Sequence, residues 1–205
     1  FVSERAVVSL GDMELEESSQ LNNVETFSSL SVDQRADSWM LLRRFPKLRK
    51  LRCVFTESEN YTGKGIQFPL LALLKDLESL KMSTYGSGQL FYSWMRVQFQ
   101  GFNLPSTLKK LTLHKFGLPW RAVSELGKLP CLEVLKLREQ AFPGQRWEVD
   151  DEQFLNLKFL ELSSSEIEEW NVSAESFTCL QQLVVGDFSR LKEIPSIFAQ
   201  KFWKS

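Results

Sequence analysis

The sequence predicts an α/β solenoid, a curved stack of short repeats with parallel strands on its concave face. First, seven segments share an apolar rhythm at their first, fourth, seventh and ninth positions, most regularly from Leu129, Phe154 and Phe177. Second, these three copies start 25 and 23 residues apart, a period typical of leucine-rich repeats. Third, Pro105 and Pro130 stand in connections that enter a strand, where the missing N–H costs no ladder bond. The predicted fold class is therefore a leucine-rich-repeat solenoid, with irregular loops and short helical turns on its convex face.

The alternation at the end of each repeat predicts a strand with one buried face. Side chains of a strand point alternately to its two faces, so we expect Leu135 and Leu137 to point into the core while Lys136 and Arg138 point outward. One such strand cannot bury its apolar face alone. Stacking of the next repeat supplies both a parallel neighbour and a continuous leucine core.

Seven strands are expected along the chain, aligned on the third apolar residue of each repeat. Their centres are Phe27, Leu51, Leu80, Leu111, Leu135, Leu160 and Leu183. The copy around Phe27 is the weakest because it lacks a clean final apolar residue, and the remnant of an earlier strand is expected around residues 7–10. The two longest intervals accommodate loops at 56–67 and 84–101, the second rich in aromatic residues. Loops of this length in a compact array are functional or mobile.

The chain divides into three parts. Residues 1–20 are a remnant of a preceding repeat or a linker, residues 21–198 are an array of about seven irregular repeats, and residues 199–205 are an atypical tail. The chain starts at Phe1, and neither end shows the polar capping repeat that a solenoid needs. We therefore expect a piece of a longer protein.

Composition argues against several function classes. The net charge of the 205 residues is −1, so no overall field favours nucleic acid or an anionic membrane. No apolar run approaches the length of a membrane span, and no signal pattern opens the chain. The three cysteines, Cys53, Cys131 and Cys179, are odd in number and far apart, which predicts reduced structural thiols and a cytoplasmic location. Asn60 and Asn171 open glycosylation sequons, a pattern that often arises by chance.

The sequence contains no catalytic constellation, so we expect no enzyme and no metal site. His114 is the single histidine and lies at an outward strand position, without a serine or cysteine motif beside it. Gly127 and Lys128 resemble part of a phosphate loop, but Leu129 follows where Ser or Thr is needed. Acidic runs at 150–152 and 166–169 lack the spacing of a calcium loop and are expected on the solvated convex side or in turns.

Basic side chains recur at the outward strand positions and form a stripe across the predicted concave face. The stripe and the positions where it stops in the sixth repeat comprise Lys50, Arg52, Lys81, Lys110, His114, Lys136, Arg138, Phe159 and Glu161. Two interpretations remain open. Solvated lysines can simply keep an exposed sheet face soluble, or the stripe can be a docking surface for an acidic protein partner.

The tryptophans fall into two groups. Trp120, Trp147 and Trp170 are 27 and 23 residues apart, which matches the repeat period and predicts packing beneath the convex side. Trp39 and Trp94 do not follow the period and are better candidates for exposed contacts.

Several phrases of the sequence resemble plant immune receptors. They are the segments 102–113, 118–120, 127–130, 132–137, 154–160, 170–171 and 191–195. Together they are similar to the C-terminal repeats of coiled-coil nucleotide-binding leucine-rich-repeat disease-resistance proteins, of the late-blight-resistance type, over residues 20–198. The tail from Gln200 does not follow the family, which usually continues into another repeat.

The resemblance implies a role and no reaction. In that family the repeat region senses a pathogen effector, or its consequence on a guarded host protein, and restrains the upstream nucleotide-binding switch in defence signalling. The expected partners are therefore proteins, including the receptor's own nucleotide-binding domain, with no nucleic acid and no integral membrane segment. ATP or ADP would bind only in an upstream domain, so no cofactor is expected in this chain.

Other functions stay open at this point. A free-standing intracellular leucine-rich-repeat scaffold would bind one partner on the basic stripe. The ectodomain of a receptor kinase is disfavoured because paired cap cysteines, a signal and the asparagines usual after each strand are missing. An enzyme is least favoured because the face of a solenoid offers no enclosed pocket.

Overall fold

The computed structural model describes residues 7–9, 20–32, 42–56, 71–85, 101–118, 120–142, 144–163 and 166–202. Within them lie ten strands, a 3-10 turn at Leu71–Leu73 and two helices, α1 (Arg121–Gly127) and α2 (Ser196–Phe202). The strands are β1 (Val7–Ser9), β2 (Thr26–Val32), β3 (Lys50–Thr56), β4 (Ser79–Tyr85), β5 (Lys110–His114), β6 (Val134–Arg138), β7 (Arg146–Val149), β8 (Phe159–Ser163), β9 (Glu169–Val172) and β10 (Gln182–Gly186).

Eight of these strands form one open parallel sheet in the order β1-β2-β3-β4-β5-β6-β8-β10. The seven predicted strand centres, from Phe27 to Leu183, are Cα partners of one another across this sheet. From Leu51 to Leu160 the leucines of this row are at most 3% exposed, so each contributes roughly 1.5–3 kcal/mol of burial. The leucine-rich-repeat architecture predicted from the sequence is confirmed.

A β-bulge explains the weak first repeat. The pairing of β2 with β3 shifts between Phe27 and Leu30, so that Phe27 lies opposite Leu51 and Leu30 lies opposite Cys53. A bulge adds one residue to one strand of a pair, and here it carries Leu30 into the inward slot, where it is 1% exposed. The apolar residue that the repeat pattern lacks at its usual position is thus supplied one position later.

The residue directly before each strand of the concave sheet links its repeat to the preceding repeat. Its backbone N–H donates to the carbonyl of the equivalent residue in the previous repeat, at 2.8–2.9 Å. The side chains at this position alternate in charge through the series Glu25, Arg49, Glu78, Lys109, Glu133 and Lys158. Arg49 and Lys109 both contact Glu78, at 2.9 and 3.3 Å, and Lys158 contacts Glu133 at 3.0 Å. We call this series the charge ladder.

The convex side contains more strand than predicted. After α1, the return segments of two repeats form β7 and β9, which pair in parallel as a separate two-stranded sheet. Their sequences alternate between buried and more exposed residues, with Trp147 opposite Trp170 and Val149 opposite Val172. A period of two in four residues, repeated 23 residues later, is the signal that could have identified them.

The three periodic tryptophans stack beneath the convex side, as predicted. The ring centroids of Trp120 and Trp147 are 4.9 Å apart and those of Trp147 and Trp170 are 5.1 Å apart. Phe198 of α2 continues the stack at 5.0 Å from Trp170. Offset stacking at these distances adds to the energy of burial, so the aromatic column joins four return segments to one another.

Gly127 ends α1 where two repeats approach closely. A Cβ at this position would lie 2.9 Å from the Cβ of Gln153 and 3.1 Å from Cε2 of Phe154. The Gly127 carbonyl also accepts a hydrogen bond from the N–H of Phe154 at 2.9 Å. The glycine of the phosphate-loop-like phrase is therefore accounted for by packing between repeats.

The cysteines are free thiols: Cys53 is buried, whereas Cys131 and Cys179 are exposed. Burial raises the pKa of the Cys53 thiol, so that it acts as a small apolar side chain in its inward slot. Most of the two predicted loops, together with Trp39, Trp94 and Asn60, lies outside the described residues. Asn171 lies in β9, and its side chain donates to Glu148 at 2.9 Å.

Candidate functional site on the concave face

The parallel register arranges the outward side chains of the sheet in three rows. Row 1 contains Lys50, Ser79, Lys110, Val134, Phe159 and Gln182. Row 2 contains Arg52, Lys81, Thr112, Lys136, Glu161 and Val184. Row 3 contains Val54, Ser83, His114, Arg138, Ser163 and Gly186. Neighbours in a row are about 4.8 Å apart, so the structure brings all the predicted site residues onto one face but distributes them over three rows.

Glu161 pairs with both basic side chains of β6 and offsets one of their two positive charges. Arg138 donates from Nε and Nη2 to the two carboxylate oxygens of Glu161, at 2.5 and 2.9 Å. Lys136 Nζ lies 3.2 Å from the same carboxylate. The hydrogen bond from Arg138 lowers the pKa of Glu161, and the reciprocal contact raises the pKa of Arg138. The Glu161 side chain is only 14% exposed, so this three-residue contact is a fixed feature of the face.

His114 is paired, which the sequence analysis did not foresee. Its Nε2 lies 2.9 Å from Oε1 of Glu139, and Nζ of Lys115 lies 3.1 Å from Oε2. The bond from His114 is the largest of the contacts that lower the pKa of Glu139. Both Lys115 and Glu139 have positive φ, 58° and 43°, and each directly follows a strand. Lys115 and Glu139 are 24 residues apart and occupy the same position after neighbouring strands. This spacing is the signal that could have predicted their ion pair.

Toward the amino-terminal strands the positive charge is not balanced. Four basic residues occupy this part of the face: Lys50, Arg52, Lys81 and Lys110. Among the residues with described positions, no carboxylate forms an ion pair with any of them. Partial burial lowers the pKa of Lys81, and the positive charge of Arg52 lowers it further. Arg138 and Lys136 act in the same direction, so the described cations place Lys81 in a positive field.

Uncharged side chains lie in row 1 beside the ion pairs of Glu161 and in row 2 beyond it. Val134 and Phe159 are half-buried neighbours in row 1, and Val184 of row 2 is 39% exposed. Nζ of Lys136 lies 4.8 Å from the centroid of the Phe159 ring, a cation–π distance. Gly186 ends row 3 with open space where a side chain would stand. The concave face therefore changes from cationic to apolar along the solenoid.

Ion pairs also lie elsewhere on the described surface. On the convex sheet, Glu169 accepts from Arg146 and Lys192, at 2.8 and 2.9 Å. Over the described ranges, no three His, Cys, Asp or Glu side chains are grouped so that they could hold a metal ion. None of the helices in those ranges is long and apolar enough to cross a bilayer.

Comparison with known proteins gives one consistent result. No family model matches the chain. Over 187 residues, 90% of its length, the chain is 35% identical to a late blight resistance protein homologue of Solanum demissum. It is likewise 35% identical over 186 residues to the late blight resistance protein R1-A of that species, and 31% identical over 191 residues to a further homologue.

The similarity covers one segment of these relatives. The chain spans 15%, 13% and 23% of their respective lengths. Within that segment the described strands repeat with the leucine register of an open parallel sheet. A chain with this fold that aligns with these proteins along 90% of its length is a leucine-rich-repeat region of the late-blight-resistance type.

Proposed function

We propose that this chain is the protein-interaction region of a plant disease-resistance receptor, in which it senses a pathogen effector or a guarded host protein and restrains a nucleotide-binding switch. The observation that carries the proposal is the alignment of 90% of the chain with late blight resistance proteins. The open concave face supports it, because rows of outward side chains on a rigid sheet suit recognition of another protein.

The charge on the face favours a protein partner with acidic groups. The amino-terminal strands carry basic side chains without described carboxylate partners, and complementary charge sets the rate and specificity of protein association. One such partner is the receptor's own nucleotide-binding domain, which this region would hold in its inactive state. ATP or ADP would bind in that domain and not in this chain.

A chimaeric receptor tests the proposal. The aligned segment of R1-A is replaced by this chain, and the receptor is expressed in leaves with and without a pathogen. We expect the chimaera to remain silent without a pathogen, whereas a version lacking the segment causes spontaneous cell death. If the chimaera and the deletion cause equal cell death at equal protein levels, the chain has no restraining function and the proposal is wrong.

A further inference from the structure

We infer that the concave face is a two-part docking surface for an extended protein segment with acidic residues toward one end and apolar residues toward the other. The inference rests on the proposed function and names the chemistry of the partner. Lys50, Arg52 and Lys81 form what we call the cationic part, and Phe159 and Val184 form what we call the apolar part.

The cationic part attracts carboxylates because its charges have no carboxylate partner among the described residues. Arg52 and Lys81 are adjacent in row 2, and no described carboxylate pairs with either. Partial burial lowers the pKa of Lys81, and the positive charges of Arg52, Arg138 and Lys136 lower it further, so its charged form is disfavoured. A bound carboxylate would offset the repulsion between these cations, because an opposite charge at close range favours the charged form.

Glu161 separates the two parts. It lies in row 2 between Lys136 and Val184 and binds both Lys136 and Arg138. Because one carboxylate offsets one of these two positive charges, they attract an external carboxylate less than unpaired cations do. An acidic residue placed over β8 would instead meet the negative charge of Glu161, and like charges in contact are unfavourable. The surface therefore fixes where the acidic end of the partner segment lies, over the amino-terminal strands.

The apolar part offers contact area and space. Val184 is exposed, and Phe159 is held by the cation above its ring. Next to Val184, row 3 ends in Gly186, and a Cβ added at Gly186 would meet no atom within 4 Å. The surface beside Val184 therefore has room for an apolar side chain of the partner.

The spacing of the two parts determines the spacing in the partner. Three strand steps separate Lys81 on β4 from the β8 position of Phe159, which amounts to about 14 Å. An extended chain rises about 3.3 Å per residue. The apolar side chain of the partner should therefore stand roughly four positions along the chain from the carboxylate over Lys81. Nucleic acid fits less well, because its evenly spaced phosphates would have to cross Glu161.

Synthetic peptides provide the test. The probe is fluorescein-labelled Asp-Asp-Gly-Ser-Gly-Leu-Phe, which has the expected spacing. One control peptide replaces both Asp by Asn, and the other replaces Leu-Phe by Ser-Ser. Binding to the full 205-residue chain is measured by fluorescence anisotropy at low salt. We expect the probe to bind about tenfold more tightly than either control peptide.

Protein variants assign each part of the surface to its part of the peptide. The double variant Arg52→Gln with Lys81→Gln should weaken binding of the probe about tenfold and leave binding of the Asn peptide almost unchanged. Val184→Ser should weaken binding of the probe about threefold and leave binding of the Ser-Ser peptide unchanged. The matched controls are Lys128→Gln for exposed charge and Leu155→Ser for an exposed apolar residue, which is 40% exposed and lies outside the sheet.

Three outcomes overturn the inference. The first is that the probe binds no more tightly than the control peptides, or not at all. The second is that the control variants weaken binding as much as the concave variants do, with folding verified by circular dichroism. The third is that a single-stranded oligothymidine displaces the probe at a lower concentration than unlabelled probe does. Each leaves the chimaera result intact, so failure of this inference is distinguishable from failure of the proposed function.

Discussion

Gly127 shows how a single residue determines the fit between repeats. In the last turn of α1, alanine would ordinarily be favoured over glycine by up to about 1 kcal/mol. Here the added Cβ would meet Gln153 at 2.9 Å, and the backbone hydrogen bond to Phe154 prevents the next repeat from moving away. Steric overlap therefore outweighs helix propensity at this position.

We expect Gly127→Ala to lower the free energy of unfolding by about 1–3 kcal/mol, the usual cost of overpacking. The matched control is Gly186→Ala, because an added Cβ there meets nothing within 4 Å. Urea unfolding followed by circular dichroism measures both. A Gly127→Ala variant as stable as the unaltered protein would show that the repeats can separate at no cost.

Glu161 makes the stability of the concave face depend on pH. Its pKa is lowered chiefly by the hydrogen bond from Arg138, so its contribution is complete above the pKa of the unfolded chain, about 4.3. The contribution is lost as the pH falls from that value through the lower folded pKa.

Glu161→Gln should therefore destabilise the protein at neutral pH, by about 1–2 kcal/mol for the loss of contacts to two cations. The difference from the unaltered protein should shrink below about pH 4. The free energy of unfolding measured across pH checks this, with Glu175→Gln, an exposed carboxylate, as control. A difference that stays constant with pH would contradict the role assigned to the carboxylate.

At the scale of elements, the charge ladder connects strands through alternating signs. Glu78 lies between Arg49 and Lys109, and both cations lower its pKa, Arg49 most strongly. Because neighbours in the ladder belong to successive repeats, like charges would oppose each other wherever the repeats stacked in a different order. The ladder therefore favours one order of stacking.

We expect Glu78→Lys to lower the melting temperature at low salt, because three cations would then be adjacent. Adding sodium chloride to about 0.5 M should reduce the effect by screening. The control Glu78→Gln removes the negative charge without placing a third cation in the ladder, so it should cause a smaller loss that depends less on salt. Equal melting temperatures for Glu78→Lys and the unaltered protein would show that the ladder has no effect on stability.

The concave strands could be predicted from the sequence, whereas several local details could not. The leucines at Leu135 and Leu160 reveal both period and face, because a buried strand face tolerates little else. β7 and β9 were missed because four residues give too short an alternation against a variable convex background. The basic residues were placed on the correct face, but their partners Glu139 and Glu161 depend on side-chain directions across repeats, which spacing alone does not specify.

At the scale of the whole molecule, different residues stabilise the stack of repeats and face a binding partner. Stability in a solenoid is approximately a sum over repeats and their interfaces, and the inward leucines, the charge ladder and the aromatic column contribute to those interfaces. The outward rows contribute less to folding and are free to vary. Recognition is therefore expected to depend on the side chains between the leucines.

We expect the proposed restraint to depend on the basic residues of the concave face that have no described carboxylate partner, among them Arg52 and Lys81. The most direct test of this dependence is ion leakage from leaves that express the R1-A chimaera with Arg52→Gln and Lys81→Gln, compared at equal protein levels with the chimaera carrying Lys128→Gln. In the absence of a pathogen, we expect spontaneous cell death from the chimaera with the double variant and none from the chimaera with Lys128→Gln. Leakage from the double variant no greater than from the Lys128→Gln control would contradict it.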